Sequence, residues 1–377
     1  MAKKVIVGLS GGVDSSVAVY ELLKDGYDVE AMFMRNWDSA TNNDVLGNPD
    51  LNDDVCPQEK DYQDAVAVAE KLNVKLHRID FIEEYWNNVF TYFIEEYKAG
   101  RTPNPDIMCN KYIKFASFKD EAMRLGADFI AMGHYARVRH DEDGSRLLRG
   151  VDTNKDQSYF LCMISQEQLS CSLFPIGHLT KPEVREIAAK LDLATAKKKD
   201  STGICFIGER NFHKFLQNYL PAKPGKMVTL DGKEIASHDG LMYYTIGQRK
   251  GLGIGGRGDS DNDAWFVLGK NLEKNYLYVG QGFNNPYLYS DRCLATNCNF
   301  ILDVPVSGKK YQAKFRYRQP DQEVMVEVLD NNQMMVYYPQ GVRAVSPGQA
   351  VVIYDGEICL GGGIIDKVYK NDELRKY

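Results

Sequence analysis

The sequence contains no long apolar run. No stretch approaches the roughly 18 consecutive apolar residues that a membrane-spanning helix needs, and residues 1–5 are not followed by the apolar segment of a secretion signal. We therefore expect a soluble, cytoplasmic protein without a membrane partner.

Cysteine pairs at metal-binding spacing are also missing. The eight cysteines are scattered without a single Cys-x-x-Cys pair, which argues against a zinc knuckle, an iron–sulfur cluster or the disulfide framework of a secreted protein. We expect no metal site built from them. The net charge of −6 disfavours indiscriminate binding to nucleic acid. It leaves room for a local basic patch, because salt screens charges beyond about 8 Å.

What the sequence does contain is a glycine-rich turn near its start. Val5 to Gly8 predicts a short buried strand, and the following residues 9–16 lead into a helix predicted over 17–23. Gly11 and Gly12 let the backbone approach a ligand closely, and free N–H groups at a helix start bind anions. The turn is therefore predicted to hold a phosphate group. An ordinary strand-to-helix turn with nothing bound is the alternative.

The pattern of this turn narrows the class of nucleotide site. It lacks the Gly-Lys-Ser/Thr of a Walker A loop and the G-x-G-x-x-G of dinucleotide-binding folds. Ser-Gly-Gly-x-Asp-Ser, from Ser10 to Ser15, instead resembles the PP-loop of the ATP pyrophosphatases. Those enzymes cleave ATP between the α and β phosphates and leave AMP on a carbonyl oxygen.

Strands and helices alternate through the first third of the chain. Further strands are predicted at 29–33, 74–79 and 128–132, and helices at 57–72, 85–98 and 111–125. This alternation predicts an α/β fold with a doubly wound parallel sheet. Ligands of such sheets lie at the carboxyl ends of the strands. The Ser10 loop, Met34 and Gly133 follow three of these strands, so we place the nucleotide among them.

The composition changes after residues 221–225, and the chain length allows two or three domains. Helical periodicity ends there, and turn residues separate short β-rich segments such as 314–318, 324–328 and 350–354. We predict three domains. They are a PP-loop ATP pyrophosphatase domain over 1–210, a small mixed central domain over 211–285, and a C-terminal β-barrel over 286–377.

Two further local patterns in the first domain predict secondary structure and no functional role. The residues 137–149 predict a hairpin that turns at Asp143 and Gly144. Thr180 and Glu183 form a capping box, which predicts a helix that begins there and runs to residue 191.

Two of the cysteines lie in contexts that favour a reactive thiol. Cys109 lies in a proline-containing loop just before a predicted helix, and Cys205 lies in a polar loop after Lys197 to Lys199. A helix N-terminus or nearby lysines lower the pKa of a thiol and raise its thiolate fraction. For five others a small buried apolar role is preferred: Cys162, Cys171, Cys293, Cys298 and Cys359. Cys56 fits either role.

Several segments together resemble one family. They are the PP-loop and the residues 104–110, 133–136, 154–158 and 201–208, with 243–249, 315–318 and 346–349 in the later domains. With them the chain resembles the bacterial tRNA-specific 2-thiouridylases over essentially its whole length, without a departure at a motif position.

The resemblance implies an ATP-dependent 2-thiolation of the wobble uridine of tRNA. ATP, with Mg²⁺, would adenylate the uracil C2 oxygen, and persulfide-derived sulfur would displace AMP while the PP-loop retains pyrophosphate. The implied ATP contacts are Gly8, Leu9, Ser10, Gly11, Gly12, Val13, Asp14, Ser15, Met34 and Gly133.

The same resemblance assigns roles to the two thiols. Cys205 would carry the persulfide, received from an upstream donor such as a cysteine desulfurase or a persulfide relay protein. Cys109 would be the nucleophile, which either releases hydrosulfide from Cys205 or resolves the intermediate as a transient Cys109–Cys205 disulfide. Asp106 would be the acid/base and would contact the target base together with Asn104 and Pro105. A turn aspartate after proline is the alternative for Asp106.

The resemblance implies tRNA contacts in the first domain, which also holds the catalytic cysteines, and in the C-terminal barrel. They are His134, Lys155, Asp156, Gln157, Tyr317, Arg318 and Gln349. Charge alone adds Lys197 to Lys199, for which a solvated face is an equal alternative. Tyr317, between Arg316 and Arg318 on a predicted strand, would offer a stacking ring between two phosphate-binding cations.

Two other functions stay open. The chain could be another PP-loop ligase that adenylates a small carboxylate or amide, which would need no paired thiols. It could also be a non-catalytic tRNA-binding protein that responds to ATP, which would release neither AMP nor pyrophosphate.

Overall fold

A parallel sheet organises the first half of the computed structural model, which describes residues 2–49, 56–200, 203, 205, 207, 208, 210–254 and 263–375. The strands of this half are β1 (Lys4–Gly8), β2 (Asp28–Arg35), β3 (Lys75–Asp80), β4 (Phe129–Ala131), β5 (Ala136–Asp141), β6 (Gly144–Arg149) and β7 (Ser172–Leu173). Five of them pair in the order β3-β2-β1-β4-β7, and all neighbours are parallel. The predicted parallel α/β sheet is confirmed.

Helices cover both faces of this sheet. The helices are α1 (Val13–Lys24), α2 (Pro57–Lys71), α3 (Ile82–Tyr85, Trp86–Phe90 in π form, Thr91–Lys98), α4 (Pro105–Cys109, Asn110–Ser117 in π form, Phe118–Arg124), α5 (Gln166–Ser170), α6 (Lys181–Lys190) and α7 (Phe212–Gln217). Val5 and Val7 of β1 pack with α1, α2 and α6, whereas Ile6 packs with α3 and α4. Successive side chains of a strand point to opposite faces, so this division shows a doubly wound sheet.

Helix α4 begins earlier than the sequence predicted. Pro105 occupies its first position, and the side chain of Asn104 accepts a hydrogen bond from the Asp106 N–H, so the two residues cap the helix. Cys109 therefore lies inside the helix rather than in a loop before it. The predicted capping box of α6 is confirmed, because the Glu183 carboxylate accepts from the Thr180 N–H at 2.7 Å.

The central part of the chain forms a small sheet in which parallel and antiparallel strand pairs are mixed. Its strands are β8 (Gly225–Val228), β9 (Glu234–His238), β10 (Trp265–Asn271) and β11 (Tyr276–Gln281), in the order β10-β11-β8-β9. Only β11 and β8 run parallel within this sheet. Short 3₁₀ turns lie at Ser158–Leu161, Leu241–Tyr243 and Pro286–Leu288.

The last part of the chain is a closed barrel of six antiparallel strands. The strands are β12 (Tyr289–Phe300), β13 (Lys310–Lys314), β14 (Gln322–Leu329), β15 (Gln333–Arg343), β16 (Ala350–Asp355) and β17 (Ile358–Lys370), followed by a short β18 (Glu373–Leu374). They pair in the order β12-β15-β14-β13-β16-β17, and pairing of β17 with β12 closes the barrel. The predicted C-terminal barrel is confirmed.

The strand predicted over 314–318 is wrong. β13 ends at Lys314, and the chain then turns. The Phe315 N–H donates to the Gln319 side chain at 3.1 Å, and the Gln319 N–H donates back to the Arg316 carbonyl. These local bonds replace the ladder that a longer strand would need.

The predicted hairpin 137–149 forms, as β5 and β6, but it leaves the parallel sheet. Leu147 and Leu148 of β6 pair with Cys359 and Ile358 of β17, so the hairpin extends the sheet of the barrel. The first and last parts of the chain thus share hydrogen-bonded backbone. Within the described residues, no helix is both long and apolar enough to span a membrane.

Candidate active site

The glycine-rich turn lies at the carboxyl edge of the parallel sheet. Gly11 has a positive φ of 71°, and a Cβ there would come within 2.1 Å of the Asp61 backbone oxygen. The Ser15 hydroxyl accepts from the Ser10 N–H at 3.2 Å and donates to the Gly12 carbonyl at 3.1 Å. The loop is therefore locked by its own side chains in a form that only glycine permits at Gly11.

The other residues assigned to ATP surround this loop. A Cβ on Gly133 would lie 2.8 Å from the Ser15 nitrogen, and one on Gly8 would lie 2.7 Å from Met132 and 3.5 Å from Met34. The ends of β1, β2 and β4 thus bring Gly8, Met34 and Gly133 to one place, as the sheet topology predicted.

Asp14 of the loop belongs to an ion-pair chain that the sequence did not reveal. It accepts from the Tyr135 hydroxyl at 2.8 Å and from the buried Lys181 ammonium at 2.7 Å. Lys181 also lies 2.8 Å from Asp200, which pairs with Lys155 at 2.7 Å. Burial would raise the pKa of the Asp200 carboxyl, but the bonds from Lys155 and Lys181 outweigh it and hold that pKa well below its usual range.

Lys198 is committed to the loop rather than to an RNA-binding face. Its ammonium donates to the Gly11 carbonyl at 2.9 Å and to Asp61 at 2.7 Å, and it also pairs with Asp64. The expectation from charge is therefore wrong for Lys198, because α2 supplies its counter-ions. Lys197 and Lys199 on either side are exposed.

The two cysteines singled out by sequence meet across 96 residues. The Cys109 thiol donates to the Cys205 sulfur at 3.8 Å, and both are reduced. The backbone of Cys205 is held on both sides, since its N–H donates to Asp106 at 3.3 Å and its carbonyl accepts from the Tyr85 hydroxyl at 2.8 Å. Within this segment, residues 201, 202, 204, 206 and 209 lie outside the described part of the chain.

The two thiols differ in acidity. The hydrogen bond from Cys109 and the ammonium of Lys114 lower the pKa of Cys205. Burial raises the pKa of the Cys109 thiol well above its usual value. Cys205 is therefore the more acidic of the two thiols, and the hydrogen bond that it accepts from Cys109 favours its thiolate form.

Lys114 and Asp106 complete the polar surroundings of the thiols. Lys114 is five residues after Cys109, in the π-helical part of α4, where residues five apart lie on the same face. Burial raises the pKa of the Asp106 carboxyl, opposed by Lys114 and by the Cys205 N–H. A raised pKa makes this carboxylate a stronger base towards a proton of a bound substrate. Regular helical spacing would not have paired Lys114 with Cys109, so the sequence concealed it.

A short segment of chain connects the thiol pair to the surroundings of the phosphate loop. Asp200 lies in the ion-pair chain of Asp14, and Cys205 follows it by five residues. At a reach of roughly 3.5 Å per residue, the two are at most about 18 Å apart.

Residues assigned to tRNA fall into two groups. His134, Asp156 and Gln157 point inward. His134 lies between the rings of Phe115 and Phe174, and burial together with Lys114 lowers its pKa well below the usual value. The buried Asp156 accepts from the Ser158 N–H and hydroxyl, and Gln157 accepts from the Tyr135 N–H at 3.0 Å.

The second group lies where the first domain meets the barrel. The Tyr317 hydroxyl donates to the Lys155 carbonyl at 3.4 Å, and Arg318 beside it is exposed. Arg316 is not a second phosphate-binding cation, because it donates to the carbonyls of Ile246 and Ala344 at 2.9 Å each. The predicted ring between two free cations is thus wrong.

Gln349 contacts the segment that leads to Asp106. Its amide donates to the Thr102 carbonyl at 2.7 Å, and the Thr102 N–H donates to the Pro347 carbonyl at 3.0 Å. The barrel loop around Gln349 therefore holds the chain two residues before Asn104.

Fold and loop together define a PP-loop protein of the ATP pyrophosphatase type. Three family models match in succession: a tRNA methyl transferase HUP domain over residues 3–209, a tRNA methyl transferase PRC-barrel domain over 213–281, and an aminomethyltransferase beta-barrel domain over 290–365.

Curated relatives make the assignment narrower. The tRNA-specific 2-thiouridylase MnmA of Acholeplasma laidlawii (strain PG-8A) is 60% identical over 377 residues, which is 100% of both chains. That of Staphylococcus carnosus (strain TM300) is 57% identical and covers 97% of this chain and 96% of its own. The chain belongs to the tRNA-specific 2-thiouridylase family. A solved 4-thiouridine synthetase in complex with RNA and ATP is 14% identical, covers 55% of this chain and 46% of its own, and has a TM-score of 0.32.

Proposed function

We propose that the protein is an ATP-dependent tRNA-uridine 2-sulfurtransferase that converts the wobble uridine of tRNA to 2-thiouridine. The observation that carries this proposal is the reduced Cys109–Cys205 pair with Asp106 against it, five residues along the chain from Asp200 in the ion-pair chain of the phosphate loop. The family-model descriptions read methyl transferase, but a PP-loop that would activate a carbonyl oxygen with ATP, together with a reduced thiol pair, favours sulfur transfer. The names of the curated relatives, which are tRNA-specific 2-thiouridylases, support the same function.

The residues of the loop fit the triphosphate of ATP. Gly11 makes room for the Asp61 backbone, Gly12 leaves the chain open to a phosphate, and the N-terminus of α1 points its N–H groups at the same place. Lys181 is the buried cation nearest the loop carboxylate Asp14. Mg²⁺, which would arrive with ATP, offsets phosphate charge when bound, and Asp14, the carboxylate of the loop, would bind it in exchange for its bonds from Tyr135 and Lys181.

Activation of the base comes first. The uracil O2 attacks the α phosphorus, a C–O–P linkage forms, and pyrophosphate leaves. Loss of the N3 proton makes O2 more nucleophilic, and Asp106, whose pKa is raised by burial, is the base we assign to that proton. Asn104 and Pro105 cap the same helix end and would contact the base beside it.

Sulfur transfer follows. The Cys205 thiolate first takes a sulfane sulfur from an upstream persulfide donor, whose thiolate leaves. In the direct route, the terminal sulfur attacks C2, AMP leaves with the C2 oxygen, and Cys109 then attacks Cys205 Sγ to free the thiocarbonyl. In the hydrosulfide route, Cys109 attacks first and HS⁻ adds to C2. Both routes oxidise the two thiols to one disulfide, so a cellular thiol must reduce it before the next turnover.

The distance between the thiols suits this cycle. A disulfide has an S–S bond of about 2.05 Å, and the two sulfurs stand 3.8 Å apart. Closure of the bond needs a shift of under about 2 Å, within reach of side-chain rotation.

The surface formed by Lys155, Tyr317 and Arg318 is our proposed tRNA contact, because it combines an exposed cation with an aromatic ring beside the site. His134, Asp156 and Gln157 would act from beneath by holding the backbone of this region. The reaction would take place in the cytoplasm, where tRNA and a persulfide donor are available.

The experiment is mass spectrometry of nucleosides from unmodified tRNA incubated with the protein, Mg-ATP and a persulfide donor. We expect 2-thiouridine, with one AMP and one pyrophosphate for each base modified. Cys171→Ser, which changes a half-buried thiol away from the pair, is the matched control and should retain full activity.

The other outcomes identify the other functions. AMP and pyrophosphate release that persists in a Cys109→Ser, Cys205→Ser double variant, with no thiolated nucleoside from wild type, would indicate another PP-loop ligase. Tight tRNA binding without AMP release would indicate a non-catalytic protein.

A further inference from the structure

A cavity lies where the three parts of the chain meet. Its lining includes neither the thiols nor the phosphate loop. Its volume is about 220 Å³, enough for several waters or a phosphate group. Gly100 and Arg101 after α3 form one wall, Lys270 of β10 forms another, and Asp366 and Arg375 of the barrel side close it.

Lys270 is the unusual member of this wall. Only 4% of its surface is exposed, and its ammonium donates to the Gly100 carbonyl at 2.9 Å. Among the described residues it forms no ion pair. Burial lowers its pKa to about 7. A buried lysine without a carboxylate either gives up its proton or keeps its charge beside a bound anion.

The remaining charges of the cavity are also mainly positive. Asp366, the one carboxylate of the wall, is already paired with Arg101 at 2.7 Å. Lys367 lies exposed at the edge and, within the described chain, has no acidic partner. The Nε of Arg375 is buried without a hydrogen-bond partner in that same part of the chain, although its Nη2 donates to two backbone carbonyls. Lys270, which has no ion pair in the described chain, and Arg375, which has an unused donor there, thus line the same cavity.

We propose that this cavity binds a phosphate group, with Lys270 and Arg375 as its main ligands and Lys367 at its entrance. The group is either a backbone phosphate of the tRNA substrate or a free phosphate ion. The first source rests on the proposed function, and the second does not.

The position of the cavity gives such binding a consequence. Thr102 belongs to the same wall and is held by Pro347 and Gln349 of the barrel. Two residues later the chain reaches Asn104, which caps the helix of Asp106 and Cys109. A phosphate that joins Lys270 to Arg375 would fix the barrel against the segment that positions Asp106.

The first test is binding of inorganic phosphate to the full-length protein by calorimetry and thermal melting, with a non-hydrolysable ATP analogue present to occupy the phosphate loop. The variants are Lys270→Met and, as matched control, Lys274→Met, an exposed lysine in the turn of the same hairpin. We expect phosphate to raise the melting temperature of wild type and Lys274→Met equally. Lys270→Met should be at least as stable as wild type without phosphate, and should bind phosphate at least tenfold more weakly.

Lys367→Gln guards against a folding defect, because its side chain is exposed. It should weaken phosphate binding several-fold without altering the melting temperature in the absence of phosphate. The proposal is overturned if wild type does not respond to phosphate and Lys270→Met binds tRNA as wild type does, or if Lys270→Met binds phosphate as tightly as wild type.

The second test identifies the source of the phosphate. If it is tRNA, Lys270→Met should weaken tRNA binding and reduce the salt slope by about 0.7 to 0.9, and free phosphate should compete with tRNA. If it is the free ion, tRNA affinity should be equal in wild type and variant while the phosphate response differs. The calorimetric measurement needs neither turnover nor tRNA. The test of phosphate binding therefore stays valid even if the proposed function is wrong.

Discussion

Two pairs of cysteines in this chain have opposite chemistry: Cys109 with Cys205, and the buried Cys162 with Cys359, which lie close enough to interact. Cys109 and Cys205 share their site with Lys114 and Asp106, and the pKa of Cys205 is lowered. Burial instead raises the pKa of Cys162 well above its usual value and that of Cys359 to about 12. The comparison teaches that burial alone makes a thiol inert, and that a thiol donor and a lysine beside it reverse the effect.

The largest effect should come from the reactive pair itself. Cys205→Ser should accept no labelled sulfur from a persulfide donor, and Cys109→Ser should load sulfur but transfer none to tRNA. The reason is that loading needs only the acceptor thiolate, whereas delivery needs both thiols. Mass spectrometry of the intact protein and of tRNA nucleosides measures the two stages separately.

Both of these variants should still form AMP, because neither thiol contacts the loop. If Cys205→Ser loaded sulfur at the wild-type level, Cys205 would not be the persulfide carrier, and the contrast between the two pairs of cysteines would fail.

The next largest effect separates the thiols from the phosphate loop. Asp14→Ala should reduce AMP formation about a hundredfold, since loss of one preorganised charged contact costs ~3 kcal/mol in the transition state. It should leave sulfur loading at Cys205 unchanged and tRNA affinity within a few-fold. AMP release is measured with radiolabelled ATP. Asp25→Ala, at the exposed far end of α1, is the control, and unaltered AMP release by Asp14→Ala would refute the ATP assignment.

A smaller effect should come from Lys114. Lys114→Met removes a charge that lowers the pKa of Cys205, so that pKa rises and the thiolate fraction at neutral pH falls. Loading should slow roughly tenfold at pH 7 and recover towards pH 9, where the thiol ionises without help. The pH profile of loading is the measurement.

Lys111→Met is the matched control for Lys114, because it lies on the same helix near the inert Cys162. It should leave the loading profile in place. Equal profiles for wild type and Lys114→Met would show that the lysine does not tune the thiol.

The smallest effect should come from the inert pair. Cys359→Ala should leave thiolation unchanged and lower the free energy of unfolding by only about 1 kcal/mol, as for other small losses of buried volume. Thermal melting and the nucleoside assay measure the two quantities. Loss of activity with an unchanged melting temperature would mean that this pair is not inert.

Local patterns in the sequence revealed the parts of the site that lie close together along the chain. The loop Ser10–Ser15, the capping box at Thr180 and the alternation of strands depend on neighbouring residues, and the structure has them where they were predicted. Cys109 was assigned to a loop because the cap formed by Asn104 and Pro105 was not recognised.

Contacts between distant segments were not predictable in this way. Lys181 reaches Asp14 across 167 residues, and Tyr85 reaches Cys205 across 120. Arg316 was misjudged for the same reason, since the carbonyls that bind it come from Ile246 and Ala344. Nothing near such a residue along the chain signals a partner that the fold brings from elsewhere.

The β5–β6 hairpin has a consequence for the order in which the protein can be completed during synthesis. The ribosome makes β6 in the first half of the chain, but its partner β17 is among the last segments to emerge. Until then the edge of β6 carries unpaired N–H and C=O groups, which is the kind of edge that recruits other chains. A nascent or truncated first domain should therefore depend on a chaperone to shield this edge, and premature stop codons in the barrel should yield aggregates rather than a smaller folded protein.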